Sequence, residues 1–217
     1  MTDLTIVLGN KNYSSWSLRG WLAVKASGAD FEEIVIPLYR GDYKDEIRRH
    51  SPSGRVPVLH HGEAVVWDSL AIGEYLAELF PEAGLWPTDR KARAVARAVS
   101  AEMHAGFAAL REHLPMNIRG RFPDRGVTPE VQQDINRITA LWRDCRTRFG
   151  SNGPFLFDDF TLADVMFAPV VTRFHTFAVA LDETSSDYCA AVRGWPAMAE
   201  WAAAAADEPW IVDYAEF

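Results

Sequence analysis

Two adjacent serines near the amino terminus have side chains that can hold an ionised sulfur. They lie in residues 13–19, YSSWSLR, which follow a short β-rich run and begin a stretch with helical apolar spacing. At such a junction the hydroxyls of Ser14 and Ser15 can donate hydrogen bonds to a ligand thiolate, and the helix amino terminus adds partial positive charge. Serines here are also common N-caps, and the segment alone favours that interpretation.

A second segment, residues 55–59 (RVPVL), places a proline at the start of a predicted strand. A cis bond between Val56 and Pro57 would turn the backbone of Val56 toward a ligand, and a peptide ligand would then pair with it as an added strand. An ordinary edge-strand proline is the alternative interpretation.

A third segment contains Asp68 and Ser69, which stand between a predicted strand and a predicted helix. The serine hydroxyl and backbone N–H can hold a carboxylate at the helix start, and the aspartate can pair with an ammonium group. This combination suits the α-amino acid end of a ligand. Helix capping by the same residues is the alternative, and the segment alone favours it.

The elements that position these segments follow from the hydrophobic pattern. The first eighty residues predict the order strand, helix, strand, short helix, strand, strand, helix (βαβαββα), which is the thioredoxin-like α/β arrangement. We predict this domain over residues 1–80, a linker over 81–88 that is rich in proline, and an all-helical bundle domain over 89–217. One long helix is predicted after the linker, with its apolar face formed by Val95, Val99, Met103, Phe107, Leu110 and Leu114.

Composition restricts the classes of partner. The chain has 217 residues, 48% of them hydrophobic, and a formal net charge of -8, so neither nucleic acid nor an anionic membrane is expected as the main partner. No run approaches the roughly 18 apolar residues of a membrane span, and the first residues lack a secretory layout. Cys145 and Cys189 lie in apolar helical patterns without a CxxC pair, which predicts buried core residues rather than a metal site or a disulfide. We therefore expect a cytoplasmic protein that holds no metal.

Taken together, the three segments resemble the amino-terminal domain of the glutathione transferase superfamily, because they occur in the same order and at similar intervals. Residues 161–164 (TLAD) are similar to the capping box of that family's helical domain, so the resemblance covers nearly the whole chain. It implies glutathione as co-substrate, a small-molecule electrophile as its partner, and a homodimer.

The resemblance also implies roles for individual residues. Ser14 is the first choice for the contact to the glutathione sulfur, and Ser15 is the second. Val56 and a cis Pro57 would contact the cysteinyl backbone, and Asp68 with Ser69 would hold the γ-glutamyl end. The candidates for the glycyl carboxylate are Arg55, Lys44 and His50. The candidates for the electrophile pocket are Trp16, Met103, His104, Phe107, Met116 and Asn117, although core packing is the default for Met103 and Phe107.

Within the superfamily, residues 14–19 are similar to the Ser-Ser-Cys-Ser-x-Arg stretch of zeta-class enzymes, which include maleylacetoacetate isomerase. Trp16 replaces the cysteine of that stretch. The leading hypothesis is a glutathione S-transferase that stabilises the thiolate with a serine hydroxyl. One alternative is a glutathione-dependent cis-trans isomerase of a maleylacetoacetate-like diacid, which needs cations in the second pocket, such as Arg19 or Arg119. The other alternative is a non-catalytic binding module with the same fold.

Overall fold

A computed structural model describes residues 3–123 and 125–217, so the first two residues of the predicted domain 1–80 lie outside it. Within these ranges, four short strands form one mixed sheet in the order β2-β1-β3-β4. Strand β1 pairs with β2 in parallel, whereas the β1–β3 and β3–β4 pairs are antiparallel. The strands are β1 Leu4–Leu8, β2 Glu32–Val35, β3 Val58–His61 and β4 Ala64–Trp67. The predicted order of elements and the thioredoxin-like arrangement are confirmed.

Three helices belong to this sheet. They are α1 Ser15–Ser27, α2 Tyr43–His50 and α3 Ser69–Leu79. Helix α1 supplies the crossover that a parallel β1–β2 pair needs, and it ends at Gly28, which has a φ of 73°. A Cβ on Gly20 of α1 would lie only 2.8 Å from Pro57, so this glycine lets the helix approach the start of β3 closely. Two of the candidate segments are thereby brought together.

The second part of the chain is helical, as predicted. Its helices are α4 Arg90–Ala105, α5 Ala108–His113, α6 Pro129–Phe149, α7 Leu162–Thr176, α8 Glu183–Gly194 and α9 Pro196–Asp207. Two short 3₁₀ turns occupy Pro81–Ala83 and Asp213–Ala215. None of the helices in the described residues combines the length and the apolar character that a membrane span needs.

The prediction of a single long helix after the linker is wrong, because this segment forms two helices, α4 and α5. Gly106 has an extended backbone, and Phe107 has a φ of 62°, so the chain turns between the two helices. Glycine is a poor helix former, and Arg111 donates hydrogen bonds to the carbonyls of Met103 and Gly106, which satisfies the end of α4. The apolar positions still face the core on both sides of the turn.

Buried contacts join the two parts of the chain. Helix α1 packs against both α3 and α7, and one apolar core continues from β1 through α1 into α7. The backbone N–H of Leu162 donates to the carbonyl of Leu85 at 2.9 Å, which ties the predicted linker to the start of α7. At that start, Asp164 accepts a 2.8 Å hydrogen bond from the N–H of Thr161, as the capping box predicts.

Cysteine usage also follows the prediction. Cys145 and Cys189 are both free and buried, and burial raises the pKa of each thiol to about 12. They are core residues.

Candidate functional site

Two neighbouring cavities open where α1 begins. The first, cavity A, has a volume of about 510 Å³, and the second, cavity B, about 250 Å³. Trp16 lines both cavities and so forms a wall between them. The described residues that line cavity A are Trp16, Ser53, Arg55, Val56, Pro57, Trp67, Asp68, Ser69 and His104. Those that line cavity B are Tyr13, Ser14, Ser15, Trp16, Leu38, Tyr39, Arg111, Pro115, Met116, Arg173 and Tyr214.

The two candidate serines differ in what their hydroxyls already bind. Ser14 is the N-cap of α1: its Oγ accepts from the N–H of Ser17 and donates to Ser17 Oγ at 2.8 Å. The hydroxyl of Ser17 in turn accepts from the N–H of Gly9 at 2.8 Å. Ser15 is the first residue of the helix, and its hydroxyl has no hydrogen-bond partner within the described residues. Ser14 therefore acts as the helix cap, whereas the Ser15 hydroxyl is available to a ligand.

Tyr13 lines cavity B, but its hydroxyl points into the carboxyl-terminal segment. It donates to Glu216 at 2.6 Å and accepts from Arg119 at 3.1 Å. Burial is the main cause of the raised pKa of Tyr13. Arg119 also donates to the carbonyls of Glu208 and Trp210. It anchors this segment and does not line cavity A or cavity B.

The Val56–Pro57 peptide bond is cis, as the resemblance implies. Val56 precedes the β3–β4 ladder, which begins with the pair Val58 and Trp67, so it lies outside that ladder. Arg55, Val56 and Pro57 all line cavity A. This backbone segment therefore lies along the cavity at a position where an extended peptide ligand can run beside it.

Asp68 and Ser69 meet cavity A at the start of α3. Asp68 has a φ of 75° and caps the helix, because its Oδ1 accepts from the N–H of Leu70 at 2.9 Å and from that of Ala71 at 3.4 Å. Its Oδ2 lies 3.1 Å from Nε2 of His104. The buried hydroxyl of Ser69 has no partner among the described residues. Capping thus uses one oxygen of Asp68 and leaves Ser69 free for a ligand.

Several predicted pocket residues lie elsewhere. His104 lines cavity A and not cavity B, and Met103, Phe107 and Asn117 line neither cavity. Met103 and Phe107 are packed in the core, the default expected for them. Asn117 is buried, where its Oδ1 accepts from Asn12 and from the N–H of Gly120. Trp16 and Met116 do line cavity B.

Two of the three candidates for the glycyl carboxylate also lie away from the cavities. Lys44 is exposed on α2 with its ammonium group over the ring of Tyr43. His50 lies 3.6 Å from Glu46 on the same helix. Neither lines cavity A or cavity B, because α2 covers another face of the sheet through Ile47. Arg55 is the candidate that lines cavity A.

Cavity B contains two arginines that the sequence interpretation missed, Arg111 and Arg173. Arg111 lies over the ring of Trp16, 4.9 Å from its centroid. Arg173 is 4% exposed and donates from Nε to the carbonyl of Leu114 at 2.7 Å, and burial lowers its pKa to about 9. Within the described residues neither forms an ion pair with a carboxylate. For Arg173, the signal in the sequence was a single arginine inside the otherwise apolar run of α7.

Arg19 also packs against Trp16, the residue that separates cavities A and B. Its guanidinium lies over Trp16 at 4.7 Å, and its Nε donates to the carbonyl of Met166 on α7. The side chain is fully buried, and both terminal nitrogens lack a hydrogen-bond partner in the described part of the chain. Burial first, and then the charges of Arg111 and Arg173, lower its pKa well below the usual range. The guanidinium groups of Arg19 and Arg111 therefore both pack against Trp16.

Two family models match the chain. The one described as "Glutathione S-transferase, N-terminal domain" matches residues 13–79, and "Glutathione S-transferase, C-terminal domain" matches residues 93–204. The chain is 29% identical over 179 residues to "Glutathione S-transferase Z2" of Arabidopsis thaliana, which covers 76% of this chain and 78% of that protein. It is also 29% identical over 171 residues to "Maleylacetoacetate isomerase" of Rattus norvegicus, covering 77% and 76% of the two chains.

A solved structure has the same fold. It is a glutathione transferase homolog from Burkholderia with bound glutathione, similar to this chain with a TM-score of 0.70 and 23% identity. The similarity covers 94% of this chain and 98% of the other.

Proposed function

The chain belongs to the glutathione S-transferase family, and on that premise we propose that glutathione occupies cavity A with its sulfur at the start of α1. One observation supports this proposal, namely that separate segments of the chain come together. Three segments that are far apart in the sequence, at Ser15, Val56 and Asp68, meet around the shared wall of two cavities. The reaction is glutathione transfer to a small electrophile that enters cavity B.

Cavity A suits the zwitterionic end of glutathione. The carboxylate of Asp68 pairs with the α-ammonium group, and the unpartnered Ser69 hydroxyl binds the neighbouring carboxylate together with the backbone N–H of Ser69. The backbone of Val56 pairs with the cysteinyl residue. Arg55 binds the glycyl carboxylate. Each charged end of the ligand thus meets a protein group of the opposite charge.

We assign the sulfur contact to Ser15 ahead of Ser14. A hydroxyl has one hydrogen to donate, and that of Ser14 is directed to Ser17. Ser15 has an unengaged hydroxyl on the first turn of α1, where the helix dipole adds positive charge. Both effects favour the thiolate over the thiol, whose ordinary pKa is about 8.5 for a cysteine-like group. Catalysis then consists of holding this thiolate beside an electrophile in cavity B.

A second candidate function is glutathione-dependent isomerisation of an acidic substrate. Isomerisation of a diacid requires cations in cavity B, for which the sequence suggests Arg19 or Arg119. The arginines that line cavity B are instead Arg111 and Arg173. Two guanidinium groups without carboxylate partners suit a diacid, to whose double bond glutathione adds and from which it departs again. A relative is named a maleylacetoacetate isomerase. Turnover of such a diacid with catalytic glutathione favours isomerisation, and stoichiometric consumption of glutathione favours transfer.

Steady-state conjugation of glutathione to a neutral chlorodinitrobenzene tests the proposal directly. Measurable turnover that saturates with glutathione is the expected result. A protein that is not retained on immobilised glutathione and shows no turnover would instead be a binding module with this fold.

A further inference from the structure

His104 connects the helical part of the chain to the ligand end of the sheet domain. It belongs to the last turn of α4, yet its imidazole lines cavity A beside the first residues of α3. Its Nε2 lies 3.1 Å from Oδ2 of Asp68, and the two side chains are 25% and 44% exposed. At that distance an Nε2–H group is within hydrogen-bonding reach of the carboxylate.

The carboxylate of Asp68 has two distinct halves. Oδ1 accepts hydrogen bonds from two backbone N–H groups of α3, which fixes this oxygen at the start of the helix. Oδ2 faces His104 and, because a carboxylate oxygen has two lone pairs, can accept from a second donor in the cavity as well. Without His104, only the capping bonds would restrict rotation of the carboxylate, since the residue is partly exposed.

His104 is itself held from several sides. Its ring meets the edge of Trp16 with centroids 5.3 Å apart. Arg111 donates to its carbonyl at 3.4 Å, which fixes the end of α4. Its Nδ1 is buried without a partner in the described residues, so Nε2 is the ring nitrogen that interacts with Asp68.

We propose that His104 is a positioning residue for the α-amino end of glutathione, which acts by holding Oδ2 of Asp68 in the direction of the ligand ammonium. This inference rests on the proposed function, since it requires glutathione in cavity A. It moves His104 from the electrophile pocket, where the sequence put it, to recognition of the co-substrate, and it makes an α4 residue part of that recognition.

The test is isothermal titration calorimetry of the full chain with two ligands, glutathione and glutathione acetylated on its α-amino group. Two variants are compared. His104→Asn removes the donor at the Nε2 position, whereas His104→Gln keeps an N–H donor at nearly the same reach. For His104→Asn we expect the Kd of glutathione to rise about tenfold, as for loss of a hydrogen bond to a charged group. The Kd of the acetylated ligand should stay within about twofold, and His104→Gln should restore most of the affinity for glutathione.

A kinetic measurement separates positioning from general damage. The KM for glutathione should rise in His104→Asn, while kcat at saturating glutathione stays close to that of the wild type. Equal affinity of wild type and His104→Asn for glutathione would overturn the inference, as would an equal loss for both ligands or no rescue by glutamine. Failure of the wild type itself to bind glutathione would overturn the proposed function instead, so the two failures are distinguishable.

Discussion

Cavities A and B share Trp16 as a wall, but the charges around them differ. Cavity A offers both signs, the guanidinium of Arg55 and the carboxylate of Asp68. Cavity B offers two guanidinium groups, Arg111 and Arg173, and no carboxylate among its described lining residues. Cavity A therefore suits a peptide with ends of opposite charge, whereas cavity B suits an electrophile that carries negative charge.

The largest expected effect comes from Ser14 and Ser15, which line cavity B next to Trp16. In the double variant Ser14→Ala/Ser15→Ala, kcat/KM for conjugation should fall about 100-fold or more, as when a donor to a developing anion is removed. Affinity for glutathione should change little, because cavity A is intact. Ser27→Ala is the matched control, since it removes a hydroxyl from the other end of the same helix. Full turnover in the double variant would exclude both serines from thiolate stabilisation.

The next effect concerns the negative charge of cavity A. Asp68→Asn keeps an oxygen to cap α3 but removes the charge, so the Kd of glutathione should rise about 30-fold, or about 2 kcal/mol. Calorimetry measures this change. Asp89→Asn is a matched control, because Asp89 caps α4 through Lys91 and Ala92 in the same way and lines neither cavity. A similar loss in both variants would point to helix capping rather than ligand binding.

The charge of cavity B is tested by Arg111→Gln. The KM for an acidic electrophile should rise about tenfold, which corresponds to 1.4 kcal/mol, and the KM for a neutral electrophile should stay nearly constant. Steady-state kinetics with a matched pair of substrates measures the difference. Arg97→Gln is the control, because Arg97 is an exposed cation that pairs with Glu74. If the acidic and neutral substrates respond alike, cavity B does not select by charge.

The smallest effect is expected at the rim of cavity B. Tyr39 packs edge-on against Tyr214, with ring centroids 5.6 Å apart, and both rings are exposed. Tyr39→Ala should raise the KM for the electrophile about threefold through the loss of one exposed aromatic contact. Tyr39→Phe should behave like the wild type, because it keeps the ring. A larger effect on the Kd of glutathione than on the KM for the electrophile would contradict the assignment of glutathione to cavity A and the electrophile to cavity B.

The two cavities also differ in how far the sequence predicts them. The residues proposed for cavity A occupy the ends of strands and the starts of helices, where capping and turn chemistry are local, so short segments were enough to predict Val56, Asp68 and Ser69 as candidates. The order of strands and helices was found for the same reason. The sequence ranks Ser14 ahead of Ser15, whereas we propose the reverse order, because the bond from Ser14 to Ser17 depends on side-chain rotation that the sequence does not reveal.

Cavity B depends on contacts between distant parts of the chain. Tyr39, Arg111, Arg173 and Tyr214 meet only through the packing of separate elements, and no local pattern connects them. His104 shows the same dependence, because only the packing of α4 against α3 brings it to Asp68. Tertiary packing decided both results.

The central claim is that glutathione in cavity A presents its sulfur to the serines that begin α1. The most direct test is titration of the bound thiol, followed by the ultraviolet absorbance of the thiolate in wild type and in Ser14→Ala/Ser15→Ala. If the serines stabilise the thiolate, the pKa of the bound thiol in the wild type lies at least about one unit below the ordinary 8.5 and returns toward that value in the double variant. A bound thiol that titrates at its ordinary pKa in the wild type, or an equally lowered pKa in the double variant, would contradict it.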